Sequence, residues 1–596
     1  MKNVFSHPGF DVKPRFIALL ILLAVFYLNI LSTQGLFSAI LLLVLDPILN
    51  KYKLPIRLAL LLIVSTSLFF LVNENNILEI FTFSSIALLQ TSYKDLKKTR
   101  YKFFKIDKLD SPSSNVTFYV FYLFIFTFLT QNGYINFESI DWDISSYLVS
   151  SNNISINNLP YQNQWESKQP ILYILYKMII FLSGGSLVAF KLINDLIIFI
   201  IALMLFRLVN IELKNYNHST LLVTLYLIFM SSPWGTAEYS EVYCLLFISA
   251  GINLLSRKSN LNNYYFLAGL MFGLSVMVNI GSLIIIIGTI FFIKNKNIFL
   301  NLSKMFVGFL SPLIILTLLY YSRNLLNIFI ETTFLIPLSY PSSSSFSFKI
   351  LIDFFRSFFE LNRLLYLVFV ITFYIIFRQL KEINIKFISP TLASLLFVVI
   401  ALHGYYHHFI FFIFFFVYMS LVLFKTEFKN LYASFLVVVI ISVSINIVPK
   451  SINNLLIVDT LQETYPIYNL QLELNNIIQD DYSVLALDYH LINYYLKKDN
   501  FSYVVHPTNL EEEFITDKLI KLDKIYEQEI RDLILYNSPE VIICSEDMLD
   551  FNCEVSDYDK RYLKLDYEKI SSMDNIDYYK DPYKTIRVFV RKDALR

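Results

Sequence analysis

The chain has 596 residues, of which 56% are hydrophobic, 17% are aromatic and only 16% are charged. A soluble protein does not need this much apolar surface, so the composition indicates an integral membrane protein. The formal net charge of +1 gives no general case for a nucleic-acid-binding protein. The three cysteines, Cys244, Cys544 and Cys553, fit no metal-ligand spacing.

Apolar runs recur along the chain up to residue 448. They are continuously apolar rather than alternating, which favours transmembrane helices over a β-barrel, and we predict about 13 to 15 of them. Some runs are short, so the exact number stays open. The predicted spans are 15–33, 35–49, 56–72, 77–92, 114–131, 186–207, 219–231, 240–256, 264–278, 281–293, 299–320, 363–378, 387–403, 408–424 and 431–448.

The basic residues orient these helices. Lysine and arginine fall in every second loop, and the richest loop contains Lys94, Lys97, Lys98, Arg100, Lys102, Lys105 and Lys108. Basic loops stay on the cytoplasmic side of a membrane. We therefore predict a multi-pass protein of the inner (plasma) membrane with a cytoplasmic N-terminus. The remaining loops, 132–185, 232–239, 321–362 and 404–407, are then predicted to lie on the outer face.

The composition changes at about residue 449, where charged residues and alternating runs replace the apolar runs. Strands are predicted at 483–487, 502–506, 540–544 and 585–590, and an amphipathic helix at 510–536. Strand and helix alternate here, which is typical of a small α/β domain. We predict an N-terminal transmembrane module (1–110), a main transmembrane domain (111–448) and an extracytoplasmic α/β domain (449–596). A disulfide between Cys544 and Cys553 is one possibility in an outer domain.

The outer loop 132–185 contains a polar island at residues 141–170. Asp141 and Asp143 follow a predicted span closely, so both carboxylates are expected at the outer membrane surface. Charged groups at a membrane edge are costly unless they serve a function. A carboxylate here could act as a general base, and Lys168 could bind a lipid-linked phosphate. The alternative is a helix cap together with a lysine that reaches lipid head groups.

Two further polar clusters lie at predicted outer helix ends. Glu238 and Glu241 either cap a helix or present a second acid to the same outer cavity. His407 and His408 either contact a phosphate or a metal ion, or belong to an aromatic belt at the membrane interface. Adjacent histidines point to different faces of a helix, so we do not expect both to hold one ion.

The order of residues in the first outer loop resembles that of GT-C glycosyltransferases. The pattern is closest to the protein O-mannosyltransferase and lipid A aminoarabinose transferase type, and it runs Asp143-x-x-x-Tyr147, Pro160-Tyr161, Trp165-Glu166-x-Lys168-x-Pro170 and Tyr173. Gln169 replaces the first proline of the family's Lys-Pro-Pro, and an Asn-rich stretch at 150–158 replaces its usual glycine. The topology resembles the family over residues 114–448.

This resemblance implies a mainly α, polytopic GT-C helix bundle with an outer α/β domain. It implies an inverting glycosyltransferase that moves a sugar from a polyprenyl-phosphate donor to an acceptor hydroxyl on an envelope glycan, lipid or protein. Asp143 would be the base, Asp141 a helper, and Lys168 the contact to the donor phosphate. The other expected substrate contacts are Tyr147, Tyr161, Glu238, Glu241, His407 and His408. No cofactor is certain, and metal dependence stays open, because carboxylates near a phosphate could hold a divalent cation or work without one.

Two other functional classes remain as alternatives. A transporter or flippase of lipid-linked glycans would show internal repeats and charged or broken helices near the midplane. The sequence has only isolated candidates for this, Asp46, Lys191 and Asp195. An O-antigen-type polymerase or ligase would centre on a large late outer loop rich in Arg and His. We rank both below the transferase, and the polymerase above the transporter.

Overall fold

The computed structural model describes most of the chain from Val116 onward. The described residues are 116–139, 141–236, 238–257, 263–293, 298–343, 349, 354–358, 362–378, 384–401, 405–426, 429–478, 481–527, 533, 537, 539–545, 567–578 and 581–595. The predicted module 1–110 and Cys553 therefore lie outside the described residues.

Helices make up most of the described residues between Val116 and Leu456. In chain order they are α1 (Val116–Gln131), α2 (Trp142–Asn152), α3 (Pro170–Leu182), α4 (Leu187–Leu213), α5 (Tyr216–Met230), α6 (Pro233–Thr236), α7 (Ser240–Leu255), α8 (Asn263–Val276), α9 (Ser282–Gly288), α10 (Ile298–Ser322), α11 (Leu326–Ile330), α12 (Ile336–Ser343), α13 (Arg363–Arg378), α14 (Ile385–Ala401), α15 (Phe409–Ser420) and α16 (Lys429–Leu456). A π-helical turn, Glu331–Leu335, joins α11 to α12.

In the described part of the chain, five helical segments are long and apolar enough to cross a membrane. They are Val116–Tyr134, Leu187–Leu213, Phe299–Ser322, Tyr406–Lys425 and Lys429–Leu456. Shorter apolar helices, such as Ser240–Leu255 and Ile385–Ile400, pack between them. The predicted fold class, a mainly α membrane bundle with a small C-terminal sheet domain, is confirmed. Four of the predicted spans fall before Val116 and remain predictions.

The C-terminal domain contains three helices, α17 (Pro466–Ile477), α18 (Leu491–Leu496) and α19 (Glu513–Lys521). Its four-stranded sheet has the order β1 (Val484–Ala486), β2 (Val541–Ser545), β4 (Asp581–Arg591) and β3 (Tyr567–Tyr578). β1 pairs with β2 in parallel, whereas β4 is antiparallel to both of its neighbours. The combination of helices with a mixed sheet agrees with the α/β domain predicted from the sequence. Cys544 is disulfide-bonded.

Two local predictions in this domain differ from the structure. The helix predicted at 510–536 is described as the shorter α19, and it ends at Lys521. The run 502–506 is not a strand of the sheet. Val504 instead forms a parallel bridge with Trp165 of the first outer loop. An alternating run reports that a segment is extended, but it does not identify the partner of that segment.

The C-terminal domain and the long apolar helices share one buried apolar core, which runs from Leu123 in α1 to Val588 and Val590 in β4. Glu138 of the first outer loop strengthens this junction. Its carboxylate accepts hydrogen bonds from the backbone N–H groups of Ile467 (2.8 Å) and Tyr468 (3.1 Å) at the start of α17. A carboxylate at a helix N-terminus satisfies free N–H groups and interacts favourably with the helix dipole.

Helices α8 and α10 approach each other closely because glycines lie at their crossing. A Cβ atom at Gly269 would lie 1.9 Å from the carbonyl oxygen of Met305, and one at Gly273 would lie 2.2 Å from that of Phe309. From the opposite helix, a Cβ at Gly308 would lie 2.0 Å from the carbonyl oxygen of Phe266. Small residues spaced four apart allow this backbone contact between membrane helices.

Candidate active site

Asp141 defines where α2 begins. Its Oδ1 accepts hydrogen bonds from the backbone N–H groups of Asp143 (3.0 Å) and Ile144 (3.3 Å), so Asp141 is the N-cap of the helix. Its Oδ2 accepts a hydrogen bond from the hydroxyl of Tyr239 at 3.1 Å. Asp141 thus holds the turn that carries Asp143, and the helix cap that the sequence left as an alternative is present. Its role as a helper stays a prediction.

Asp143 lies in the first turn of α2, and its side chain is 23% exposed. Its Oδ1 lies 3.6 Å from Nε2 of His506 in the C-terminal domain. Burial alone would raise the pKa of Asp143, but Lys168 and His506, with smaller contributions from His407 and His408, hold it below its ordinary value. The side chain is therefore an ionised carboxylate.

The motif tyrosines fix the backbone of Lys168. Tyr161, which has a left-handed φ of 69°, donates a hydrogen bond from its hydroxyl to the carbonyl oxygen of Lys168. The Lys168 N–H in turn donates to the hydroxyl of Tyr173 at 3.1 Å. From the C-terminal domain, the Tyr503 hydroxyl donates to the Tyr161 carbonyl oxygen at 2.5 Å. Tyr161 therefore shapes the loop from a buried position.

The Lys168 ammonium is the central positive charge of this cluster. Burial would lower its pKa, but the carboxylates of Asp143, Glu241 and Glu166 raise the pKa above its ordinary value. Among the described residues, none forms a hydrogen bond or an ion pair with its Nζ atom. The lysine is therefore charged, surrounded by acids and available to bind an anion.

Tyr147 lies one helical turn after Asp143 and is 1% exposed. Its ring packs edge-to-face against the rings of Tyr173 and Tyr176, with centroid distances of 6.3 Å and 5.7 Å respectively. Burial, followed by the charge of Asp143, raises the pKa of Tyr147 well above its ordinary value. Its hydroxyl is therefore neutral and lies close to the charged cluster.

The structure separates the two acids at the start of α7. Glu241 is fully buried and accepts hydrogen bonds from the Ser240 hydroxyl (3.1 Å) and the Asn279 amide (3.4 Å). Its negative charge contributes to the raised pKa of Lys168. Glu238 instead accepts a hydrogen bond from the Ser139 hydroxyl at 3.4 Å, and burial raises its pKa. Glu241 is thus the acid near Lys168, whereas Glu238 joins α7 to the first outer loop.

His407 and His408 come from a tight 3-10 turn that precedes α15, and both are buried. His407 stacks on Tyr239 with a ring-centroid distance of 4.0 Å. The Nε2 atom of His408 lies 3.8 Å from Oε1 of Glu241. The two imidazole rings meet edge-to-face at 4.6 Å.

Three side chains bring possible metal-ligand atoms within 4.8 Å of one another: a carboxylate oxygen of Glu241 and one imidazole nitrogen each of His407 and His408. The two imidazole rings therefore lie close together at this 3-10 turn, and are not separated onto opposite faces of a regular helix. That both histidines do not hold one ion stays a prediction from the sequence. Two imidazoles and a carboxylate are donors that Zn²⁺ uses in proteins, and a zinc ion with bonds of about 2.0 Å would need ligand atoms about 3.3 Å apart. The donor types fit, and the ligand atoms would have to move closer together to bind one ion.

The sequence interpretation missed the contribution of the C-terminal domain. Trp142 Nε1 donates a hydrogen bond to Asp488 Oδ1 at 2.7 Å, and His490 Nε2 lies 2.8 Å from the Ser145 hydroxyl. His506 lies beside Asp143. The chain contains only seven histidines, and two of them in a small outer domain were the signal that could have been used.

Comparison with known proteins gives a similarity in structure alone. No protein-family model and no curated protein sequence matches the chain. The crystal structure of ArnT from Cupriavidus metallidurans in the apo state is similar, with 10% sequence identity and a TM-score of 0.48. ArnT bound to undecaprenyl phosphate gives 11% identity and a TM-score of 0.47. Each comparison covers 79% of this chain and 97% of ArnT.

Proposed function

We propose that this protein is an inverting membrane glycosyltransferase that uses a polyprenyl-phosphate sugar as its donor. The observation that carries the proposal is that the Asp143 carboxylate and the Lys168 ammonium act on each other electrostatically within one cluster. Asp143 is a carboxylate with a lowered pKa, and the Lys168 ammonium has no hydrogen bond or ion pair to a described residue. A proton acceptor and an anion-binding cation are the two groups that sugar transfer from a phosphate donor requires.

In the proposed reaction, an acceptor hydroxyl attacks the anomeric carbon of the donor sugar. A bond forms between that carbon and the acceptor oxygen, while the bond to the phosphate oxygen breaks. The acceptor proton passes to Asp143. Attack on the face opposite the leaving group inverts the anomeric configuration, as in inverting glycosidases. The polyprenyl phosphate leaves with the electron pair, and Lys168 stabilises its negative charge.

The other predicted residues have supporting roles in this proposal. Asp141 holds the turn of Asp143, and Tyr161 shapes the loop of Lys168. Tyr147 and Glu241 contact the sugar or the acceptor, with Glu238 at the edge of the site. His407 and His408 contact the donor or, with Glu241, would hold a divalent cation that neutralises phosphate charge.

The proposed partners and location follow from the charge pattern of the sequence. The basic loops place the N-terminus in the cytoplasm, so the site and the C-terminal domain face the outside of the inner (plasma) membrane. The donor is a membrane lipid, and the acceptor is an envelope glycan, lipid or protein. Nucleic acid has no role in this proposal.

The charges that could indicate a transporter are placed differently. Asp195 accepts a 2.8 Å hydrogen bond from Asn132, and Lys191 donates to the carbonyl oxygen of Phe137. Lys191 and Asp195 therefore lie in the N-terminal part of α4, and their partners lie in the loop that follows α1. This placement favours the transferase over a charged pathway through the middle of the bundle.

An Asp143→Asn variant tests the proposal. In a deletion strain, we expect the variant to restore at least a hundredfold less of the missing envelope glycan than the wild-type protein, about the lower limit of general-base catalysis. Mass spectrometry of the envelope measures the product. The matched control is Asp499→Asn, because Asp499 bonds Asn153 at the other, exposed end of α2. Wild-type product levels with Asp143→Asn would refute the role of Asp143.

A further inference from the structure

The first turn of α2 is held from the C-terminal domain, more than three hundred residues away in sequence. Trp142 donates to Asp488 at 2.7 Å, and His490 Nε2 lies 2.8 Å from the Ser145 hydroxyl and 3.0 Å from the carbonyl oxygen of Trp142. Burial lowers the pKa of His490 to about 3, so its ring is neutral. A neutral ring whose Nε2 carries the hydrogen can donate to this carbonyl group.

His506 adds a direct partner for Asp143. Its Nε2 atom lies 3.6 Å from Asp143 Oδ1, and its Nδ1 atom lies 2.8 Å from the Thr508 hydroxyl. When Thr508 donates to Nδ1, the ring hydrogen is on Nε2 and faces the carboxylate, because the partner of one nitrogen sets the state of the other. The edge of the ring packs against Trp142 at a centroid distance of 5.8 Å.

This arrangement leaves one side of the carboxylate available. Asp143 Oδ1 is next to His506, whereas Oδ2 accepts no hydrogen bond from the described residues. A carboxylate that is held through one oxygen and is open at the other has a fixed orientation toward its substrate.

We infer that the C-terminal domain completes the active site, with His506 as a positioning residue for Asp143 and with Asp488 and His490 holding the turn of α2. This inference rests on the proposed function, because it assigns the partner of the proposed base. His506 acts through Asp143 and takes no proton from the acceptor.

Other contacts already attach the domain to the membrane part. Lys518 forms an ion pair with Glu331 at 3.0 Å, and Trp165 pairs with Val504 through backbone hydrogen bonds. Loss of the His506 side chain should therefore leave the domain in place. An effect of His506 on Asp143 can then be separated from undocking of the domain.

The first test measures Asp143 itself and does not depend on any activity. The full-length protein is labelled with a water-soluble carbodiimide and glycine ethyl ester at pH 6, and the rate of Asp143 modification is followed by peptide mass spectrometry. The groups that act on Asp143 are Lys168, His506, His407 and His408. Removing His506 should raise the protonated fraction, so we expect about threefold faster labelling in His506→Gln.

The control for labelling is Lys518→Gln, which breaks an ion pair between the domains but leaves the Asp143 turn intact. Its Asp143 labelling rate should equal that of the wild-type protein. Equal rates in His506→Gln and wild type would overturn the inference. Faster labelling in both variants would also overturn it, because it would report opening of the domain interface.

The second test uses envelope glycan in the complemented deletion strain. We expect about tenfold less product with His506→Gln and with His490→Phe, at unchanged protein levels, because small misplacement of a catalytic group is costly. Lys518→Gln should restore the wild-type amount. If Asp143→Asn is fully active, the proposed function fails, while the labelling result still decides whether His506 partners Asp143. Wild-type product with His506→Gln would refute its positioning role.

Discussion

Trp142 Nε1 donates a hydrogen bond to Asp488 Oδ1 at 2.7 Å, although 346 positions separate the two residues. Trp142 is the first residue of α2, and Asp143 follows it directly. The same Asp488 oxygen also accepts from the backbone N–H of Tyr489 at 2.7 Å. The orientation of the proposed base therefore depends on the correct folding and docking of a domain that lies far away in the sequence.

We expect Trp142→Phe to lower the stability of the protein. The substitution removes a partly buried hydrogen bond to an acidic group, which is worth about 1.5–3 kcal/mol. The apparent melting temperature in detergent measures the loss. The matched control is Asn153→Ala, which removes an exposed hydrogen bond to Asp499 at the other end of α2 and should cost less. A larger loss in the control would contradict the importance of the Trp142 contact.

Lys168→Gln should move the acid limb of activity to higher pH. Lys168 is the first of the charges that hold the pKa of Asp143 down. In the wild-type protein the lowered pKa keeps the base ionised, and active, at a pH at which an ordinary aspartate would already take up a proton. Without Lys168, the pKa of Asp143 rises, and activity is lost at a higher pH as the pH falls. The pH profile of sugar transfer measures this shift.

The control for this profile is Lys177→Gln, since Lys177 bonds the carbonyl oxygen of Asn152 at the C-terminal end of α2. Its acid limb should stay in place. Lys168→Gln could use the donor less well while its acid limb stays at the wild-type pH. That result would support the contact of Lys168 with the donor phosphate but would exclude its electrostatic effect on Asp143.

The membrane architecture and the first-loop site could be predicted because their signals are local. Long apolar runs identify helices, and Asp143, Tyr161 and Lys168 lie within one short segment. The helix cap that the sequence left as an alternative is also a local feature, because Asp141 caps the helix that begins at the next residue. Each of these features follows from residues that are neighbours in the sequence.

The contributions of His490 and His506 could not be predicted in this way. They reach α2 through the docking of a separate domain, and no periodicity in the sequence encodes that contact. The segment around Val504 shows the same limit, because its alternation predicted a sheet strand whereas its partner is Trp165. His407 and His408 meet at a 3-10 turn, whereas the sequence interpretation assumed the geometry of a regular helix.

The cluster of Glu241, His407 and His408 predicts binding of Zn²⁺. We expect added Zn²⁺ to raise the apparent melting temperature of the wild-type protein, since a ligand at a hundred times its Kd adds about 2.7 kcal/mol of stability. Glu241→Gln and His408→Gln should lose this increase. Glu238→Gln is the matched control, because Glu238 is a buried acid three residues away that does not belong to the cluster. No response of the wild type to Zn²⁺ would exclude the site.

Gly269→Ala should disrupt the packing of α8 against α10. The added Cβ would lie 1.9 Å from the Met305 carbonyl oxygen, and because this neighbour is backbone, the helices must separate. Such overpacking costs about 1–3 kcal/mol or more, so the apparent melting temperature and the yield of folded protein should both fall. Gly133→Ala is the control, because its Cβ would meet the Ile447 side chain at 3.3 Å, where a small shift suffices. Equal stability of the two variants would show that the close backbone contact between α8 and α10 does not form.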